Sequence, residues 1–199
     1  MRTFYAIKFE DRVKEELARN SAELRKHALK GSFTQKDNFH VTLAFVGEIE
    51  SEKLGDLKKA ADNAAAKLHP AQIRGKIDGL GTFARPGDEL LWAGIKTEPE
   101  NILGAINKTI AEELAKLRIA LKGNDKFHPH VTIARKVGFH KPASEAIPQI
   151  KFAPIDFFVN SITLMESVQE IKTYGGKGYS QIAYKPLHET KFQITQKSL

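Results

Sequence analysis

Phe127–Arg135 reads FHPHVTIAR, and Phe39–Phe45 reads FHVTLAF. The tetrads HVTI and HVTL occur once each, one in each half of the chain. Each has the composition of a strand, in which residues two apart share a face. His40 and Thr42 then point one way, with Val41 and Leu43 pointing the other. His130 and Thr132 do the same against Val131 and Ile133. The branched apolar residues anchor each strand, and the polar pair is presented on the opposite face.

The flanking sequence supplies matching surroundings. Arg2–Phe9 reads as a strand, and from Asp11 onward Val13, Leu17, Leu24 and Ala28 recur at helical spacing. Phe39–Val46 is a second strand ended by Gly47. Ser51–Leu68 carries a stripe of Leu54, Leu57, Ala61, Ala64 and Leu68, which predicts a helix. Gln72–Phe83 is a glycine-rich strand with a bulge expected at Gly79 or Gly81. ARPGDE (84–89) is a turn, so Leu90–Lys96 returns as the second strand of a hairpin. Thr97 is the expected N-cap of a helix faced by Ile102, Ile106, Ile110, Leu114 and Leu117, with Pro99 in its first turn. His130–Lys136 follows as a strand, then a short helix at Ala143–Ile150. Ile155–Met165 and Tyr179–Tyr184 are late strands joined by the YGGKG turn (174–178), and His188–Leu199 is a loose tail or an edge strand.

Each half thus runs strand, amphipathic helix, strand with His-x-Thr. The recurrence predicts an α+β fold, bilobal, with two pseudo-symmetric lobes. Each lobe has an antiparallel sheet and outer helices, and a cleft lies between them. No flexible linker appears, so residues 1–199 are expected to form a single domain of two interleaved lobes.

The composition excludes several chemistries. There is no cysteine among 199 residues, which removes disulfides, thiolate zinc sites and cysteine nucleophiles together. No apolar run approaches the ~20 residues of a membrane span. The opening MRTFYAIKFEDRVKEEL turns acidic and helical too early for a signal peptide, and a reducing cytoplasm is the expected home. A formal charge of +7 attracts polyanions, among which nucleic acid is the commonest inside a cell.

Two imidazoles and two hydroxyls meeting across a cleft suit in-line displacement at phosphorus. That reaction needs a base behind the attacking oxygen and an acid at the departing one. Histidine is near half-protonated at neutral pH, so one ring can be neutral while the other is charged. Thr42 and Thr132 can hydrogen-bond the non-bridging oxygens, and Arg135, five residues past His130, adds a cationic fork suited to phosphate. One His-x-Thr alone reads as an ordinary structural histidine, whereas two in matching surroundings read as a site. His128 and His130 also form His-x-His, which with His40 has the makings of a zinc set. The matched threonines would then have no purpose, so no metal and no cofactor is expected. Lys177 in the YGGKG turn is placed to approach a phosphate. Phe9, Phe39, Phe83 and Trp92 are aromatics able to stack on a nucleobase.

FHVTLAFVGE and FHPHVTIAR resemble the paired signatures of the two-histidine (2H) phosphoesterases, and within them the RNA 2′,3′-cyclic phosphodiesterases once named 2′-5′ RNA ligases. RTFYAI resembles that family's opening strand, GTFARPGDELLWAGI its central hairpin, and VNSITLMES its late strand. The resemblance implies a monomeric, metal-independent enzyme that opens a terminal RNA 2′,3′-cyclic phosphate, tRNA fragments included, to a 2′-phosphate. It implies His40 as proton donor, His130 as proton acceptor, and Thr42, Thr132 and Arg135 on the phosphate. The residues themselves permit the reverse assignment of the histidines. Running the step backwards would join RNA ends through a 2′-5′ bond. A 2′-5′ oligonucleotide, a small cyclic nucleotide, or mere binding of RNA ends are the other readings. Two positions depart from the pattern: Phe33 stands where the family often has tryptophan, and Tyr174-Gly-Gly-Lys-Gly-Tyr179 replaces a Gly-Pro-x-Tyr ending.

Overall fold

Val41 and Val131, the second residues of the two tetrads, pair with each other across an antiparallel bridge, and the whole fold is arranged about that pair. In the computed structural model, residues 1–68, 72–85, 88–122, 127–174 and 177–193 are described. Pro86–Gly87, Gly175–Gly176, His69, the side chain of Lys177 and the tail beyond residue 193 lie outside them.

The element order is β1 (Arg2–Lys8), α1 (Asp11–His27), β2 (Ala28–Phe33), β3 (His40–Glu48), α2 (Leu54–Lys67), β4 (Ile73–Arg85) and β5 (Asp88–Glu98). It continues with α3 (Ile102–Lys116), β6 (His130–Phe139), α4 (Ala143–Ala146), β7 (Ile155–Val159), β8 (Ser161–Tyr174) and β9 (Lys177–Lys191). All pairings are antiparallel, in the order β7-β4-β5-β6-β3-β1-β8-β9, with β2 also on β6. The two expected antiparallel sheets are therefore one nine-stranded sheet, in which a single rung joins β3 to β6. About that rung the order is symmetric: β6, β5, β4 on one side match β3, β1, β8 on the other.

The helices cross this seam. α3, from the second half, packs on β3 and α2 of the first, while α1 packs on β7 of the second. The stripes read from sequence are the buried ones: Val13, Leu17 and Leu24 on α1, Leu57, Ala61 and Ala64 on α2, Ile106, Ile110 and Leu114 on α3. They join one hydrophobic cluster with Val41, Leu43, Val131 and Ile133, each no more than 1% exposed. The Tyr5 hydroxyl donates to the Leu57 carbonyl at 2.8 Å, which fixes α2 to β1. At fully buried groups such a bond is obligatory.

Four expectations need correction. Thr97 does not cap α3: β5 continues through it to Glu98, and the helix begins at Ile102 after Asn101 in the left-handed region (φ 59°). Ile155–Met165 is not one strand. The chain leaves β7 on one edge of the sheet at Asn160 and joins β1 as β8, which runs on to Tyr174. β9 runs past the expected Tyr184 to Lys191 at the sheet's edge, so residues 188–191 take the edge-strand alternative; their end is fastened by Ser161–Glu189 and His188–Asp62 hydrogen bonds, with Phe192 buried. Finally, Ala28–Phe33, which carries no strand pattern in the sequence, forms β2. The expected bulge does lie at Gly79, whose φ of 73° suits glycine, between the Ile77 and Leu80 pairings with β5.

Candidate active site

Both tetrads fold into the same local device. In β3 the pairing with β1 skips from Ala6↔Thr42 to Tyr5↔Ala44, so Leu43 is an extra residue. In β6 the pairing with β5 skips from Trp92↔Thr132 to Leu91↔Ala134, so Ile133 is extra. Each is a β-bulge immediately after the threonine. A bulge strands one carbonyl off the ladder, and both are satisfied from outside it: Asn107 of α3 donates to the Leu43 oxygen at 2.7 Å, and the Thr34 amide to the Ile133 oxygen at 2.8 Å.

The bulge decides where Arg135 goes. Strict alternation sets residues 132 and 135 on opposite faces; one inserted residue returns 135 to the face of Thr132. Arg135, Thr132 and His40 line one cavity of about 370 Å³. At the matching position of the first tetrad stands Phe45, 49% exposed, its ring 5.9 Å from Phe4. The half-sites therefore share a shape and differ in this residue's chemistry.

The imidazoles are held alike. The Nδ1 of His40 meets the carbonyl of Asn38, and that of His130 the carbonyl of His128, both at 2.7 Å and both two residues upstream. A carbonyl accepts and cannot donate, so Nδ1 carries the hydrogen in both rings and Nε2 is the reactive nitrogen. In His40, Nε2 lies 3.0 Å from the Thr42 hydroxyl, which donates to it while the ring is neutral. No pattern in the sequence marks Asn38 and His128 for this duty, since the groups used are main-chain.

The antiparallel register about Val41–Val131 sets His40 toward Thr132 and Thr42 toward His130. The two rings sense each other. Desolvation pushes His40 down from 6.5 to about 4; the hydrogen bond to Asn38 opposes this, and the charges of Arg135 and His130 add to it. The walls differ. Around His40 stand Phe4 and Tyr184, with ring centroids 5.1 and 4.8 Å away. Around His130 stand Phe83 at 5.1 Å and Trp92 at 6.3 Å, with His128 beside them. A Cβ at Gly81 would fall 2.3 Å from the Trp92 ring, so this glycine makes room for the indole. Of the aromatics proposed for stacking, Phe9 and Phe39 are core residues at 5% and 2% exposure, and Phe83 and Trp92 reach the site. Tyr184, nearest to His40, gave no signal in the sequence.

His40, His128 and His130 do not gather as a metal-ligand set, nor does any other group of His, Asp or Glu among the described residues. No helix among them is long and apolar enough to cross a membrane. His40, Thr132 and Arg135 line the cavity, His130 and Thr42 do not, and the strand register alone sets those two beside it; imidazole, hydroxyl and guanidinium together suit a tetrahedral anion.

Residues 13–170 match the model of the 2′-5′ RNA ligase superfamily. An RNA 2′,3′-cyclic phosphodiesterase of Methanocaldococcus jannaschii is 32% identical over 136 residues, covering 68% of this chain and 71% of that protein. One of Geobacillus stearothermophilus is 30% identical over 169 residues, covering 84% of this chain and about half (52%) of that protein. Among solved structures, TT0787 of Thermus thermophilus superposes with a TM-score of 0.70 at 24% identity over 96% of this chain and 98% of its own. Escherichia coli LigT in apo form gives 0.68 at 22% over 96% of each. These last two establish the fold.

Proposed function

The chain belongs to the 2′-5′ RNA ligase superfamily, and on that premise we propose that it hydrolyses terminal RNA 2′,3′-cyclic phosphates to 2′-phosphomonoesters. The observation that carries the reading is the repeated latch: each tetrad histidine gives its Nδ1 hydrogen to a carbonyl two residues back, which leaves Nε2 for proton transfer. The names of the relatives, RNA 2′,3′-cyclic phosphodiesterase, supply the substrate class.

In the proposed step, Nε2 of His130 takes a proton from water as its oxygen attacks phosphorus. The P–O3′ bond breaks in line, and Nε2 of His40 gives its proton to the departing 3′ oxygen. The 2′ ester stays, and the two rings end with exchanged protonation. Thr42, Thr132 and Arg135 bind the non-bridging oxygens where negative charge grows. Each proton transfer is worth ~10²–10⁴-fold. In the free protein His40 sits near 4 and is neutral at pH 7. The anionic phosphate offsets Arg135 and His130 and draws the proton onto Nε2. With a 5′-hydroxyl attacking in place of water, the same displacement breaks P–O3′ and forms a 2′-5′ diester, the joining step for which the superfamily is named.

The test is incubation with an RNA ending in a 2′,3′-cyclic phosphate, in excess chelator, with identification of the monoester formed. Wild type is expected to yield the 2′-phosphate. His40→Ala and His130→Ala are each expected to lose at least ~10²-fold while remaining folded. Equal turnover in wild type and either variant removes the proposed roles. A 3′-phosphate product would mean that the other ester oxygen departs.

A further inference from the structure

The cavity that holds His40, Thr132 and Arg135 extends away from them to a wall made by β9 and the turn before β3. Its volume, about 370 Å³, is that of a small-molecule site. Of the two catalytic histidines, His40 lines it. The group that leaves with a proton from His40 is the 3′ oxygen of the terminal ribose. The nucleoside therefore has to lie on His40's side of the phosphorus, and this cavity is the space there.

Two carboxamides meet at its wall from different elements. Gln181 of β9 donates its Nε2 hydrogen to Oε1 of Gln35 at 2.7 Å, across 146 residues of sequence. The Oε1 of Gln181 is shielded from solvent and has no hydrogen-bond partner. A buried acceptor left unpaired is costly, and an incoming N–H relieves it. Tyr184 and Ile182, the latter 46% exposed, supply apolar surface beside the amides for a flat ring. A cavity with hydroxyls and amides on its walls, the rings of Phe33 and Tyr184 among them, and one unsatisfied acceptor away from Arg135 suits a nucleoside, flat and polar-edged, rather than a second phosphate.

We propose that this cavity seats the terminal nucleoside and that the Gln35–Gln181 pair selects bases with an exocyclic amine on the presented edge, adenine and cytosine, over guanine and uracil. The amide oxygen of Gln181 accepts from the amine, as carboxamides do when they read adenine. The inference rests on the reading of His40 as proton donor at the 3′ oxygen.

Calorimetric titration with the four nucleoside 2′-monophosphates and with ribose 2-phosphate, which has no base, tests it without requiring turnover. Wild type is expected to bind the adenosine and cytidine compounds about tenfold more tightly than the other two. Gln181→Met and Gln35→Met, which keep the side-chain length, are expected to bring all four within about threefold and leave ribose 2-phosphate unchanged. Wild-type affinities already within threefold, a preference for guanine or uracil, or variants that keep the wild-type ratio each overturn the proposal. Equal weakening of every ligand, ribose 2-phosphate included, makes the amide pair a brace for β9 and overturns it as well. Lack of turnover on cyclic-phosphate RNA together with the expected base selection counts against the reaction and not against the pocket.

Discussion

His40 is the residue whose environment says most about the chemistry. Its ring is half-buried between Phe4 and Tyr184, and burial first, then the nearby Arg135 guanidinium and His130, pushes it down to about 4. kcat/KM reports the ionisations of the free enzyme. One limb of its pH profile is therefore expected near pH 4. Arg135→Ala removes a repelling positive charge, which favours the imidazolium, so that limb should move upward toward 6.5. The same substitution should lower kcat/KM by roughly 10–100-fold, the worth of one charge-assisted hydrogen bond. A limb that stays in place, or moves down, would show that Arg135 does not act on this ring. The sign for stability follows from the same shift. A ring held neutral in the fold stabilises above its unfolded value of 6.5, and that contribution is lost as pH falls toward 4.

At the scale of elements, the polar clamp between α2 and α3 keeps the outer layer in register. Glu113 of α3, 4% exposed, bonds Lys116 at 2.5 Å and also Lys67 and Asn63 of α2. Those partners, Lys116 first, hold its carboxyl down to about 2. A depressed carboxyl stabilises above its ordinary value of 4.5, and the contribution disappears as pH falls through about 2. Glu113→Gln is expected to cost about 1 kcal/mol at pH 7, since both lysines are half exposed to solvent. That difference should shrink steadily in urea melts below pH 4.5. An unchanged difference at pH 3 would remove the ionic explanation.

Some elements were legible in the sequence and others were not, for definite reasons. α1, α2 and α3 announce themselves because one stripe of each is buried and the rest is not. β2 gives no such sign: ALKGSF is mostly exposed and owes its shape to β6, a partner a hundred residues away. The break at Asn160 hides inside IDFFVNSITLM, where strand-forming residues run on both sides of a lone Asn-Ser step and the change of neighbour is a tertiary matter. Within the site, alternation places His40, Thr42, His130 and Thr132 on paired faces. It misplaces Arg135, because the Ile133 bulge depends on β5 and on a donor from Thr34. Main-chain latches and the Gln35–Gln181 contact are likewise invisible until the chain is folded.

The whole molecule carries a net charge of +7. On the proposed function its substrate is a polyanion, and each phosphate engaged releases counterions. A nucleoside 2′,3′-cyclic monophosphate has one phosphate, so log kcat/KM against log salt is expected to fall with a slope of about −0.7. A short RNA with the same terminus should fall more steeply if the body of the protein engages further phosphates. Equal slopes for the two would confine recognition to the terminal nucleotide.

The near-identity of the two half-sites has a consequence for direction. Matching bulges, matching latches and a shared rung would, left to themselves, make a reaction centre indifferent to which way round a phosphodiester entered. Part of what breaks the tie is the unlike couple Arg135 and Phe45, a guanidinium and a phenyl ring at equivalent stations of the two strands. A duplicated scaffold acquires a front and a back through this substitution and through the unlike walls, Phe4 and Tyr184 beside one ring and Phe83 and Trp92 beside the other.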